Sequence, residues 1–243
     1  MLLVGLMVVA TAAQAAIYFD DDLESGLNTS DSNADNYWYP QPVRDPPNLT
    51  TDVSHSSTHS VEAGAADKGY KADVSWLAVQ RSYEAWIMSE DDSANQYFSV
   101  WSDIPSSAFA PGPTITLAPD GDIDYFATKD DTPIDTGLDW AADTWYHVGI
   151  EVRPGGTTNN KCDFWISTSE GLFNPATDLI ASNVNYSPTS STGHTGALYF
   201  AKVYADDVEV YDGSMNLIPE PATMIVLMLG GLGIIVGRCG KKG

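Results

Sequence analysis

Positive charge is what this chain has least of. Its 243 residues include 11 Lys and Arg against 33 Asp and Glu, a formal net charge of −22. That excludes nucleic acid as a partner, because a phosphate backbone is held by a basic footprint. An acidic surface keeps a protein soluble and tolerates cations and neutral polymers better than polyanions. Cysteine is nearly absent too, with only Cys162 and Cys239. The second lies beyond a terminal apolar segment, so the two are expected on opposite sides of a membrane and unable to pair. Neither a disulfide framework nor a CxxC metal site is available. No HExxH, phosphate-binding P-loop or GxSxG occurs. His55 and His59 are four apart, but in a Ser/Thr-rich stretch rather than a helix.

What is present begins at the two ends. Residues 1–15 read as a secretory signal peptide. Leu2–Ala10 is an apolar run too short to span a bilayer, and Ala13-Gln14-Ala15 places small residues before a cleavage at Ala16. No Lys or Arg precedes the run. At the other end Pro219-Glu220-Pro221 bars regular helix. Ala222–Val236 follows, apolar and about 22 Å long as a helix, short of the roughly 30 Å of bilayer hydrocarbon. Arg238, Lys241 and Lys242 then place this end in the cytoplasm and the body of the chain outside.

The 219–243 tail resembles the PEP-CTERM sorting signal, with Pro219, Glu220, Pro221 and Arg238 at its defining positions. The resemblance implies an exosortase-type membrane enzyme as partner, processing near the Pro-Glu-Pro, and a membrane-anchored intermediate. The destination it implies is the cell surface or extracellular matrix of a bacterium with a Gram-negative-type envelope.

Between the ends, residues 16–212 read as one all-β domain, with 213–218 as a linker. Tyr146, Val148, Ile150 and Val152 alternate with Trp145, His147, Gly149 and Glu151, the period of a strand. Lys161–Ser167 forms a hairpin with it. Thr114–Leu117 and Asp122–Thr128 form another around Pro119-Asp120-Gly121. Further strands are predicted at Tyr70–Trp76, Tyr83–Ser89, Gln96–Asp103, Ala197–Val203 and Asp206–Tyr211, while Asp21–His59 is expected to be loop-rich. Such spacing predicts an antiparallel β-sandwich. Four segments occur in order: Phe19–Gly26, Thr116–Tyr125, Asp143–Val152 and Tyr204–Val210. Together they resemble the concanavalin A-like, LamG-type jelly roll. That family spans lectins, carbohydrate-binding modules, glucanases and adhesive domains, so fold alone does not choose a function.

For function, the Glu-x-Asp-x-x-Glu of jelly-roll glucanases is missing. Asp120, Asp122 and Asp124 alternate, but they are expected at a turn and on a solvent face. Asp21 and Asp206 share strand parity with apolar residues. A buried carboxylate must be paired, hydrogen-bonded or metal-bound, so Asp21 and Asp206, with Asp22 or Asp207, are candidate ligands for a structural Ca²⁺. Tyr37-Trp38-Tyr39 lies in a Pro-flanked polar stretch and is the candidate sugar-stacking platform; Trp101 and Trp140 are weaker candidates. The expectation is a non-catalytic surface or matrix protein binding carbohydrate. The alternatives are a polysaccharide-active enzyme with a divergent site, or a purely structural envelope component.

Overall fold

The computed structural model describes residues 17–21, 23–25, 27, 48–56, 58–63, 74–75, 80–90, 93–102, 111–128, 131–153, 160–186 and 195–217. The signal peptide, Tyr37-Trp38-Tyr39, Asp22 and the 219–243 tail lie outside them. Among the described residues there is no helix, and hence no helix long and apolar enough to cross a membrane.

The strands are β1 (Ile17–Asp21), β2 (Asn48–Thr50), β3 (Ser60–Ala63), β4 (Val74–Ser75), β5 (Arg81–Met88), β6 (Gln96–Ser102) and β7 (Pro111–Leu117). They continue with β8 (Asp122–Phe126), β9 (Ile134–Asp139), β10 (Tyr146–Arg153), β11 (Lys161–Ser167), β12 (Leu179–Asn185), β13 (Thr195–Ala201) and β14 (Val203–Asp212). They form two antiparallel sheets. One, of eight strands, runs β12-β11-β10-β5-β14-β3-β2, with β1 also paired to β14; the other, of six, runs β4-β13-β6-β7-β8-β9.

Period-2 alternation builds the core between the sheets. Tyr83, Ala85, Ile87, Val148, Ile150, Phe164, Val208 and Val210 from the larger sheet pack with Phe98, Val100, Ile115, Leu117, Ile123, Leu198 and Phe200 from the smaller. The predicted β10–β11 hairpin is present, from His147 opposite Ser167 to Arg153 opposite Lys161. So is β7–β8, closed by a turn in which Gly121 takes φ +95°, a conformation that favours glycine. The chain changes sheets between β13 and β14 at Lys202, whose φ is +58°.

Two expectations change. The stretch expected to be loop-rich also holds β2, a three-residue edge strand. The segment taken as a linker is packed: Met215 is 3% exposed, and its N–H donates to Glu151 Oε2 at 2.9 Å. Gly149 makes this possible. A Cβ there would lie 2.6 Å from Met215 Cε and 3.0 Å from Phe173, so the absent side chain is the notch both fill. With Trp165 and Tyr211, Phe173 and Met215 form a second small core on the outer face of the larger sheet.

Candidate active site

Each sheet has an outer face, and the two differ in kind. On the larger sheet, His147 stacks between Trp86 (centroids 5.0 Å apart) and Phe173 (4.1 Å), and His55 stacks on the other side of Trp86 at 3.7 Å. Several charges here are paired, although Glu209 stands opposite both Glu84 and Asp20 in the register. His147 Nε2 lies 3.3 Å from Glu84 Oε2. Arg153 donates to Asp163 through two nitrogens and to Glu151 at 2.7 Å, which holds its guanidinium above its ordinary value. Inside the same sheet, burial pushes the Cys162 thiol well above its ordinary value, so it behaves as a small core side chain.

The candidate calcium ligands sit on this sheet and do other work. Asp206 was expected to share a face with Val208 and Val210. A bulge at Asp207, whose φ is +47°, breaks that parity, and Asp206 pairs with Trp86 on the outer face. Asp21 pairs with Val208 and so faces the core side. The two carboxylates therefore point to opposite faces and do not share an ion. Asp206 Oδ2 accepts from the His55 N–H at 2.8 Å, and Asp207 Oδ1 from Ser56 Oγ at 2.6 Å. Asp21 Oδ1 accepts from the Leu23 N–H. Among the described residues no group of three His, Cys, Asp or Glu side chains could hold a metal ion. Trp140 is also committed to packing: it is 7% exposed and donates from Nε1 to Ala118 O at 2.7 Å.

The outer face of the smaller sheet is polar. Ile115 and Leu117 turn inward, so Thr114 and Thr116 turn outward; the same alternation turns out Tyr97, Ser99, Asp122, Asp124, Phe126 and Tyr199. The register aligns these into rows. Tyr97, Thr116, Asp124 and Asp135 are successive cross-strand partners on β6, β7, β8 and β9. Three strand spacings make that row about 14 Å long. Beside it run Tyr199, Ser99, Thr114 and Phe126, with Ser99 and Thr114 sharing a hydrogen bond of 2.6 Å.

Two properties mark the row. Thr116 is 2% exposed, and its Oγ1 has no hydrogen-bond partner among the described residues. A buried hydroxyl left unsatisfied costs stability. Next to it, carboxylates face each other: Asp124 opposite Asp135, and Asp122 opposite Asp139. The register slips between these pairs, and Gly137 at φ +73° takes up the extra length of β9. The Asp135 carboxylate is fixed by the Gly137 N–H at 2.6 Å. Desolvation, then the charges of Asp120, Asp135 and Asp122, hold the Asp124 carboxyl above its ordinary value. Directly opposed residues have Cβ atoms about 4.5–5.5 Å apart. That places two carboxyl groups within reach of the roughly 5–5.5 Å separation of retaining glycosidases.

A search for acidic residues along one strand misses this pair, because its members sit on two strands and the second, β9, has weak alternation. The available signal was the Asp-x-Asp run at 122–124 followed by Asp135 and Asp139 in a second short segment.

No family model matches the chain, and no curated protein matches it. Solved structures do. The Trypanosoma rangeli sialidase in complex with the inhibitor DANA aligns with a TM-score of 0.49 and 10% identity, over 70% of this chain and 27% of that one. An endo-β-1,4-glucuronan lyase from the fungus Trichoderma reesei aligns at 0.44 and 11%, over 73% and 91%. An alginate lyase from Aplysia kurodai aligns at 0.45 and 10%, over 68% and 87%. The chain spans only about a quarter of the length of the sialidases it matches. Against the expectation of a non-catalytic protein stand the titles of these structures, which name a sialidase, a glucuronan lyase and an alginate lyase. At such identities and TM-scores the likeness decides nothing about activity, which has to come from this chain's own residues.

Proposed function

We propose that the protein is an exported polysaccharide-active enzyme that hydrolyses glycosidic bonds on the outer face of the six-stranded sheet. The observation that carries this reading is the row Tyr97–Thr116–Asp124–Asp135, which sets two carboxylates side by side next to a buried, unpartnered hydroxyl.

Asp124, whose environment favours the protonated form, is the acid. It gives its proton to the bridging oxygen as the bond from that oxygen to the anomeric carbon breaks. Asp135 attacks the same carbon and forms a glycosyl ester. A water then adds to that carbon, giving one proton back to Asp124 and releasing the sugar from Asp135, which restores both carboxyl groups. Tyr97 and Phe126, both half-buried, offer ring faces on which a pyranose stacks. Thr116 Oγ1 is placed to hydrogen-bond a sugar hydroxyl.

The two sheets are read as a concanavalin A-like jelly roll, a reading supported by their antiparallel order and by the pairing of the first strand with the last. The signal at 1–15 supports export, and the tail at 219–243 supports sorting to the surface or matrix by an exosortase-type enzyme through a membrane-anchored intermediate.

The test is to incubate full-length protein with a panel of polysaccharides and measure new reducing ends and their chemistry. New reducing ends matched by saturated non-reducing ends, and abolished in Asp124→Asn, are expected. Unsaturated ends, or no release from any polymer, overturn the reading.

A further inference from the structure

Among the described residues the ion pairs lie on one side. Arg81 pairs with Asp212, Arg153 with Glu151 and Asp163, His147 with Glu84, His55 with Asp207 and Glu170, and His59 with Glu24. Each of these pairs belongs to the eight-stranded sheet or to the segments packed on it. On the six-stranded sheet, Asp120, Asp122, Asp124, Asp135 and Asp139 gather at the β7–β8 turn and along β8 and β9. Among the described residues no Lys, Arg or His lies on that sheet's outer face, and no cation pairs with any of the five. Lys202, among the described residues the nearest in sequence to its strands, stands at the β13–β14 turn.

Like charges directly opposed across strands repel one another. Two such pairs lie here beside the buried Thr116 hydroxyl, and among the described residues they have no cation; counter-charge and hydrogen bonds from a ligand would satisfy them. A polyuronate would bring one further negative charge per sugar. A polymer of amino sugars brings a positive charge per sugar and N–H donors.

Building on the proposed hydrolase, we infer that the row Tyr97–Thr116–Asp124–Asp135, flanked by Asp122 and Asp139, takes an amine-bearing polysaccharide as substrate. The sugar rings lie across β6 to β9, with an ammonium between Asp122 and Asp139 and the Thr116 hydroxyl bonded to the ring beside the scissile link. This assigns to the site the opposite charge preference from the glucuronan and alginate named in the titles of two structural neighbours.

The experiment compares full-length protein on chitosan, on fully N-acetylated chitin oligomers, on a neutral β-glucan and on alginate. Mildly acidic pH keeps sugar amines protonated, and the series is run at ionic strengths of about 0.01 M and about 1 M. Reducing-end release on chitosan should exceed that on the neutral polymers by on the order of tenfold at low salt, the lower part of the range for electrostatic focusing. That preference should collapse at high salt, where the Debye length falls to ~3 Å. Asp139→Asn should lower the preference without reversing it. Equal rates on neutral polymers and chitosan, or a preference for alginate, overturn the substrate assignment while leaving a hydrolase. No release from any polymer overturns the hydrolase itself, and the assignment with it.

Discussion

The two outer faces differ in how their charges are satisfied. On the eight-stranded sheet Arg81, Arg153 and His147 each have a carboxylate, Lys161 donates to the Asn185 amide oxygen, and rings stack over the strands from His55 to Phe173. On the six-stranded sheet, among the described residues, no cation pairs with the carboxylates at β8 and β9: Asp124 opposes Asp135, Asp122 opposes Asp139, and Asp135 also accepts from the Gly137 N–H. A face of the first kind stabilises through its ion pairs and stacked rings, while His147 Nδ1 and Trp165 Nε1 have no hydrogen-bond partner among the described residues. A face of the second kind costs stability in the free protein, and such costs gather where a ligand is to be met. The contrast explains why rich histidine and glutamate chemistry on the larger sheet is not read as the site. His147 and Glu84 are buried beneath Phe173 and matched to each other.

The comparison can be broken most sharply at Asp124. Asp124→Asn should lower turnover by about 10²–10⁴, the usual contribution of a general acid, measured as reducing-end release. The same variant should melt no lower than the parent at neutral pH, because it removes a repelled charge. A large fall in Tm without loss of turnover would show that Asp124 is structural.

On the other face the order of effects reverses. Phe173→Ala should destabilise by about 3–5 kcal/mol, as for a buried aromatic truncated to a cavity, read from the denaturant midpoint. Turnover per folded molecule should stay the same. Loss of turnover in protein that remains folded would put the site on the wrong sheet.

Gly149→Ala should cost less, about 1–3 kcal/mol. The nearest atom to the new methyl is the flexible end of Met215, which can move, but the Phe173 ring follows at 3.0 Å. An unchanged midpoint would mean that the notch is not filled as described.

The smallest effect concerns pH. The carboxyl of Asp124 sits above its ordinary value in the folded state. The folded protein therefore binds more protons than the unfolded chain between the two values. Its contribution to stability is complete below the unfolded value and is lost as pH rises through the folded one. Tm of the parent should fall slightly relative to that of Asp124→Asn as pH climbs through the carboxylate range. Parallel curves would remove the electrostatic basis of the acid assignment.

Much of the fold could be read from the sequence because alternation carried it. Tyr146–Val152 and Lys161–Ser167 declared their inner faces residue by residue. The predicted strands at Tyr83–Ser89, Gln96–Asp103 and Asp206–Tyr211 overlap β5, β6 and β14. The short or polar strands were hidden. Ile134–Asp139 is mostly exposed, with Gly137 at positive φ, so nothing in its pattern marks a strand. Asn48–Thr50 is too short to show a period. The site was illegible for a related reason, since its central pair exists only through the β8–β9 register, set by that hidden strand. Parity failed at Asp206 because one bulge residue flips the face of what precedes it, and local sequence does not announce a bulge.

The seat of Met215 also bears on how far the chain can be trimmed from its C-terminal side. A cut beyond Leu217 leaves Met215 in the Gly149 notch and the Asn216 N–H on Tyr211 Oη. A cut at Asp212, where sequence alone would end the domain, withdraws the plug. It uncovers Tyr211, Trp165 and Phe173 together and leaves Glu151 Oε2 without the Met215 N–H. The five residues past the last strand are thus part of the packed fold, held by Met215 and Asn216.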